Sequence, residues 1–292
     1  MKKICCIYLI SVLLLSCGVK KEMVETRATL DEIQTQHEKE KLQIKAINDT
    51  ANAKFSVGKI DNNIDSLVKK KLSRYNQNLD SIQNKIASID TLLSSKKAFH
   101  KNYKDYVIPL LDTLKQLNVA YSERAKLYAM IESALNIADF QRFDLAAFFG
   151  PGKYIIPEDK KDLARQSFSP IVDSMMKFAN QYENVHKTAT LVILGFADGT
   201  GFSAEGELLD TLTAEINKKD ANKGDLNIAL SQLRAKELVT QLKMIFINKT
   251  NLSVNYIPQG KGEAYPLSYI SNYTIDDPRR RIVLCYWTVL PD

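Results

Sequence analysis

From Val68 to Leu93, apolar or aromatic residues fall at Val68, Leu72, Tyr75, Leu79, Ile82, Ile86, Ile89 and Leu93. The steps alternate between four and three, which is the a/d seam of a heptad. A weaker series, Leu30, Ile33, His37, Ile44 and Ile47, runs upstream, and Phe99, Tyr103, Leu110, Leu114, Leu117 and Tyr121 run downstream. Between Glu22 and Ile137 the only proline is Pro109 and the only glycine is Gly58, in a background of Lys, Glu, Gln, Leu and Ile. This composition predicts long helices. Ser56-Val57-Gly58 and Asp61-Asn62-Asn63 interrupt the register and predict a hinge or a turn. Pro109, lacking a backbone N–H and crowding the preceding turn, predicts a kink or a helix end. Two arrangements fit: an extended stalk that self-associates into a homo-oligomer, or a hairpin folded back at Gly58. A straight helix over residues 25–138 would reach roughly 165 Å at ~1.5 Å per residue.

Near Phe140 the period changes. Asp144 to Phe149 reads as a strand, followed by Gly150-Pro151-Gly152 and a helix from about Glu158 to Val185. Leu191 to Gly195 is a strand, Asn227 to Ile247 a helix, and Leu252 to Ile257 and Arg281 to Val289 are further strands. Between them, Glu205 to Lys219 spaces Leu208, Leu209, Leu212 and Ile216 like a short amphipathic helix. The fold class expected is α+β: a helical, coiled-coil region over 25–138, then an α/β sandwich with a mixed sheet over 139–292.

The amino terminus carries a separate signal. Lys2 and Lys3 precede an apolar run from Ile4 to Leu15, too short to span a bilayer and of the length of a secretory signal. Leu14-Leu15-Ser16-Cys17-Gly18 resembles the lipobox of bacterial lipoproteins. That resemblance implies a signal peptide over 1–16, cleavage before Cys17, acylation of its thiol by palmitate-like chains and a lipidated tether over 17–24. Two or more chains anchor a protein stably where one does not. The implied location is the outer membrane. The net charge of +6 falls to +4 once Lys2 and Lys3 leave with the signal. Positive residues are interleaved with acids and form no basic patch, which argues against nucleic acid. Cys5 and Cys6 are lost with the signal and Cys17 is consumed by lipid, so Cys285 has no partner for an internal disulfide. In its strand-like run it reads as a small buried hydrophobe. His37, His100 and His186 are too scattered to form a metal site or a triad, and no cofactor is expected.

Five stretches carry a family resemblance. They are Phe148-Phe149 with Tyr154-Ile155-Ile156-Pro157; Leu194-Gly195-Phe196-Ala197-Asp198-Gly199-Thr200-Gly201; Asn227-Ile228-Ala229-Leu230-Ser231-Gln232-Leu233-Arg234-Ala235; Gly260-Lys261-Gly262-Glu263-Ala264-Tyr265-Pro266; and Arg280-Arg281-Ile282-Val283-Leu284. In this order they resemble the blocks of the OmpA-like peptidoglycan-binding domain. The resemblance implies a noncatalytic clamp on the diaminopimelate of the wall's stem peptide, whose side chain ends in an ammonium and a carboxylate on one carbon. By match to the motif, Asp198 takes the ammonium and Arg234 holds the carboxylate through a fork that lysine cannot reproduce. Backbone donors at Gly199 and at the start of the helix beginning with Asn227 add to the carboxylate, and Asn227 caps that helix. Without the family, a carboxylate in a glycine-rich turn is a misfit, because an acid repels the phosphate such a loop usually cradles.

Three positions depart from the family. Asp198 and Arg234 are separated by more residues than usual, which predicts an insertion at about 202–225 that either folds outward or covers the cleft. Phe196-Ala197 replaces the family's His-Thr. Arg279 stands where the family has asparagine, either as a further cation to hold a carboxylate or as a disturbance of the family's hydrogen bonds. The reading that follows is an outer-membrane lipoprotein facing the periplasm and tethering the membrane to peptidoglycan. The alternative is an envelope protein of the same fold that has lost wall binding and recruits a partner through its helices. Asp198 or Glu263 as a general acid lacks a nucleophile, base or metal beside it, so no enzyme is expected. Asp-Ser/Thr-apolar triplets, from Asp49-Thr50-Ala51 to Asp210-Thr211-Leu212, resemble an O-glycosylation sequon of some Gram-negative envelopes, a pattern amphipathic helices also produce.

Overall fold

The computed structural model describes residues 2–144, 148–149, 152–199, 201–202, 206–218, 220–247, 252–266, 272–274 and 277–292, with side chains from Gly18 onward except Pro278. The chain divides into two compact units that do not follow chain order: Met1–Asp49 with Lys69–Ala129, and Thr50–Val68 with Met130–Asp292.

The first unit is helical. It is built from most of α1 (Lys2–Ser56) and α2 (Asn62–Leu93), then α3 (Lys96–Asn102), α4 (Ile108–Val119) and the first half of α5 (Tyr121–Ile137). Among the described residues no helix is long and apolar enough to cross a membrane. Of the two arrangements the heptad allows, the chain adopts the fold-back. His37 Nε2 lies 2.9 Å from the Leu79 carbonyl oxygen, and these residues are equally far along the chain from Gly58, so the two arms of the hairpin meet in register. The seam residues Leu72, Leu79, Ile82, Ile86, Ile89 and Leu93 are each at most 5% exposed, and Leu30, Ile33, His37, Ile44 and Ile47 at most 4%. The stripe that offers a self-association surface in the sequence is therefore filled by the chain's own helices. Pro109 stands at the start of α4, directly after a π-helical turn at Tyr103–Val107. The helical path continues through this widened turn, which accommodates the missing N–H and the ring, so the proline does not end it.

One position of the upstream seam is filled by an acid. Glu40 is 1% exposed. Its carboxylate accepts from Arg124 Nε at 2.6 Å, from Arg124 Nη2 at 3.0 Å and from the Tyr128 hydroxyl at 3.2 Å, while Arg124 Nη1 donates to the Leu117 carbonyl. Tyr75 stands edge-on to Tyr128 with ring centroids 5.0 Å apart. Burial opposes the charge on Arg124, and the hydrogen bond and charge of Glu40 more than offset it, leaving the guanidinium above its ordinary pKa. Burial, reinforced by Glu40, pushes the Tyr128 phenol well up.

The second unit is a sheet with helices packed on it. Its strands are β1 (Phe140–Asp144), β2 (Lys187–Gly195), β3 (Ser253–Gly260) and β4 (Ile282–Pro291), in the order β1-β4-β2-β3. β4 is antiparallel to β1 and to β2, and β2 is parallel to β3. The sheet is thus mixed, as the family resemblance implies. β2 and β4 are the inner strands and nearly every residue in them is buried, which is why both read as continuous apolar runs without alternation. Of the helices α6 (Glu158–Gln181), α7 (Glu207–Ile216) and α8 (Lys223–Ile247), α8 packs along β2 and β3, and α6 packs on β4 beside α8. Phe168 of α6 is fully buried against Phe143 and Phe148.

The first strand is displaced from its expected place. It is Phe140–Asp144, an edge strand with a polar alternation; Phe148 and Phe149 lie beyond it and are buried, and Leu145–Ala147, like Gly150 and Pro151, are outside the described residues. The turn expected around Gly58 is present, with Gly58 at φ +72, a left-handed conformation that suits glycine. Asp61 then caps α2, accepting from the Ile64 and Asn63 N–H groups. Lys54 closes the end of α5 by donating to the Asn136 and Ala138 carbonyls, where a cation also suits the helix dipole. The Asp-Ser/Thr-apolar triplets lie on helices. The hydroxyls of Thr91, Thr113, Ser174 and Thr211 donate to carbonyls four residues earlier.

Candidate functional site

The glycines of the resembling blocks are explained by close packing of α8 on the ends of β2 and β3. A side chain at Gly195 would put its Cβ 2.4 Å from the Ser231 carbonyl oxygen, and one at Gly260 would meet the Ile228 carbonyl oxygen at 2.3 Å. Gly262, at φ +54, has Ile228 Cγ1 at 2.7 Å from where a Cβ would sit. The helix holds the same loop by side chains. Gly262 N–H donates to Ser231 Oγ at 3.0 Å and Gly260 N–H to Gln232 Oε1 at 2.6 Å. The peptide after β2 is fixed in turn: Ala197 N–H donates to the Gly262 carbonyl, Lys261 N–H to Gly195 and Phe196 N–H to Ile282. These bonds pin the backbone on which Asp198 sits.

Phe196 and Ala197 are buried, 4% and 1% exposed, so the pair that replaces His-Thr serves as core. Asp198 follows at 7% exposure, with Gly199 buried after it, and Thr200 is outside the described residues. Its Oδ2 accepts from Arg281 Nε at 2.8 Å and Nη2 at 2.5 Å. Strand register accounts for the pair. Gly195 stands opposite Val283 in the antiparallel β2–β4 ladder, so continuing past both strand ends brings Asp198 and Arg281 to the same edge. Arg281, in the last of the resembling blocks, takes its role from this strand pairing.

Arg234 projects from α8 at 6% exposure. Its Nε donates to the Lys153 carbonyl at 3.0 Å, and its Cζ lies 5.7 Å from the centre of the Phe149 ring. That is its only hydrogen bond among the described residues, and it has no ion pair within 4.0 Å. Burial lowers the Arg234 guanidinium to about 10, with the Asp198 charge opposing the shift and the Arg281 charge adding to it. Asp198, Arg234 and Arg281 thus share one electrostatic site. The group remains cationic at neutral pH.

The other expected site residues are elsewhere engaged. Asn227 does not cap α8, because the helix begins one turn earlier. Asn222 caps it: Asn222 Oδ1 accepts from the Asp225 N–H at 2.9 Å and Asp225 Oδ2 from the Asn222 N–H at 3.0 Å, a reciprocal capping box. Asn227 is buried inside the helix, its Nδ2 donating to Glu263 Oε1 at 2.7 Å. Its backbone N–H lies inside the helix rather than among its first donors. Arg279 is held by Asp277, with Nε 3.0 Å from both carboxylate oxygens, and by Asn272. This hydrogen bond holds the Asp277 carboxyl down at about 2. Arg281, rather than Arg279, is the cation on Asp198.

The insertion folds onto α8. Leu212 of α7 is fully buried with Leu226, Ala229 and Leu230, and Leu208, Leu209, Ile216, Phe202 and Tyr154 pack around them. Glu205 and Lys219, the expected ends of this helix, are outside the described residues. Asp198 and Arg234 are both under a tenth exposed, and Arg281, whose side chain is 40% exposed, lies on the acid. Cys285 is buried in β4, and burial pushes its thiol up to about 12. Among the described residues no three His, Cys, Asp or Glu side chains gather as metal ligands.

No family model matches this chain, and no curated protein matches it either. Among solved structures it is similar to a MotB-like protein from Desulfovibrio vulgaris, at 16% identity over 51% of this chain and 72% of that one, with a TM-score of 0.31. It is similar also to the cell wall anchor of the T6SS from Pseudomonas aeruginosa, at 13% identity over 51% and 80%, TM-score 0.27. A third is the OmpA-like domain of FopA1 from Francisella tularensis, at 14% identity over 52% and 72%, TM-score 0.25.

Proposed function

We propose that this chain is a noncatalytic, lipid-anchored tether between the outer membrane and the cell wall. In this reading residues 1–16 are removed, Cys17 carries the lipid, and the 139–292 region faces the periplasm and holds the diaminopimelate stem peptide. Arg234 receives the carboxylate. The observation that supports this most is the state of that side chain: a buried guanidinium whose Nη groups have no protein acceptor among the described residues. Burying an unpaired cation is unfavourable, and a carboxylate ligand supplies the missing anion in the bidentate geometry a guanidinium favours. Asp198 in the same electrostatic site supports the zwitterionic ligand implied by the sequence resemblance. The test is sedimentation of the full, detergent-solubilised chain with purified sacculi. Wild type is expected in the pellet, and Arg234→Ala in the supernatant; equal retention of both sinks the clamp. Cys17→Ser is expected to move the protein out of the membrane fraction, and a chain that stays there unlipidated overturns the anchor.

One observation favours a second reading. Asp198 is already held by Arg281, and Arg279 by Asp277, as in a protein that keeps the fold and binds an envelope partner instead of wall. Failure of wild type to sediment with sacculi from several wall chemistries selects this reading.

A further inference from the structure

We infer that Arg281 sets the specificity of the site: by answering Asp198 from within the chain, it leaves Arg234 to recognise a carboxylate and makes the ligand's ammonium dispensable. This rests on the wall-binding reading above and departs from the zwitterion clamp. Arg281 reaches Asp198 through both Nε and Nη2 onto one carboxylate oxygen. An incoming ammonium must therefore compete with a cation already in hydrogen-bond contact. Arg234 has the opposite deficit, with its Nε on a backbone carbonyl and no acidic partner in contact. Its lowered pKa is the electrostatic trace of that deficit. Among the described residues Arg234 is the member of the three with no acid in contact, so what the site takes is an anion. A carboxylate seated on Arg234 gains a charge-assisted pair in a desolvated setting. The ammonium gains only what remains after Arg281, whose side chain is 40% exposed, has been displaced or shared.

The experiment measures binding of stem tripeptides ending in diaminopimelate to the full chain by isothermal titration. Four peptides are compared: unmodified, acetylated on the diaminopimelate side-chain amine, amidated on the side-chain carboxylate, and amidated on the C-terminal carboxylate. In wild type, acetylation is expected to change Kd by less than about threefold, whereas amidating one carboxylate weakens binding by about tenfold or more. Which amidation does so identifies the carboxylate recognised. In Arg281→Gln the acid is released, and acetylation is then expected to cost about tenfold. Arg281→Lys keeps the charge and is expected to behave nearer to wild type. The inference is overturned if acetylation costs wild type tenfold while amidation of either carboxylate costs little, or if Arg281→Gln leaves the acetylation effect unchanged in a variant with a native circular dichroism spectrum. Loss on acetylation with sacculus retention intact refutes the inference and keeps the tether. Absence of binding to every peptide and to sacculi refutes both.

Discussion

Arg124 in the helical unit, partly buried, and Arg234 in the sheet unit, buried, are guanidinium groups carried on helices, and they are answered in different ways. Arg124 has a bidentate carboxylate from Glu40 and a backbone carbonyl from Leu117. Arg234 has one carbonyl from Lys153 and a ring face from Phe149. The pKa directions follow: Arg124 rises because its pair outweighs burial, and Arg234 falls because burial is not fully offset. A charge closed off inside its own unit serves the fold. A charge left partly unanswered beside an acid and a second base is available to a ligand.

The comparison can be broken most severely from the helical side. Glu40→Ala strands Arg124 in the seam and is expected to cost about 3–5 kcal/mol, because removing one partner of a buried pair leaves an uncompensated charge. Urea unfolding followed by circular dichroism measures this. The double variant Glu40→Met with Arg124→Met is expected to recover most of the loss; failure to recover it means that the seam depends on the pair's geometry and not on charge balance. Next in size, Asn222→Ala removes the cap of the helix that presents Arg234 and is expected to cost ~1 kcal/mol, read as a lower urea midpoint. Arg234→Met is expected to change stability by less than about 1 kcal/mol, or to raise it, since replacing an ill-compensated buried charge is neutral or favourable. The same variant loses sacculus retention. A loss of stability as large as that of Glu40→Ala would place Arg234 in the same structural class as Arg124.

The smallest effect expected is that of pH. Arg234 is lowered to about 10 in the folded chain, so the unfolded chain binds more protons above that value, and this group raises stability with pH only above about 10. Arg124 is raised, so its contribution is fully present below the ordinary arginine value and is lost as pH rises through the still higher folded one. Neither group changes charge near neutrality. Retention on sacculi is therefore expected to be flat from about pH 7.5 to pH 9, and a fall in that window assigns recognition to another group.

Much of the architecture was legible because it is periodic. The 4–3 spacing from Val68 to Leu93 identified the buried stripe, and the unbroken apolar runs of β2 and β4 identified inner strands. β1 was misplaced because a five-residue edge strand with a polar alternation is a weak signal beside the aromatic pair Phe148-Phe149. Asn227 was mistaken for a cap because the true cap, Asn222, sits before a lysine and a glycine that do not look helical in isolation. Glu40 went unrecognised for a different reason: an acid on an apolar seam looks like a break in the pattern until its partner, 84 residues away, is known.

By itself the sequence determined the class of each region, the turn at Gly58, and the candidacy of Asp198 and Arg234. Those depend on local spacing and local sterics. Tertiary structure alone decided that the heptad folds back on its own chain, that Arg281 reaches Asp198 while Arg279 is held by Asp277, and that Arg234 is buried with little to balance it. Each is a pairing between residues distant along the chain, set by strand register or helix packing, and the strength of a charge in a protein depends on which groups and how much solvent surround it.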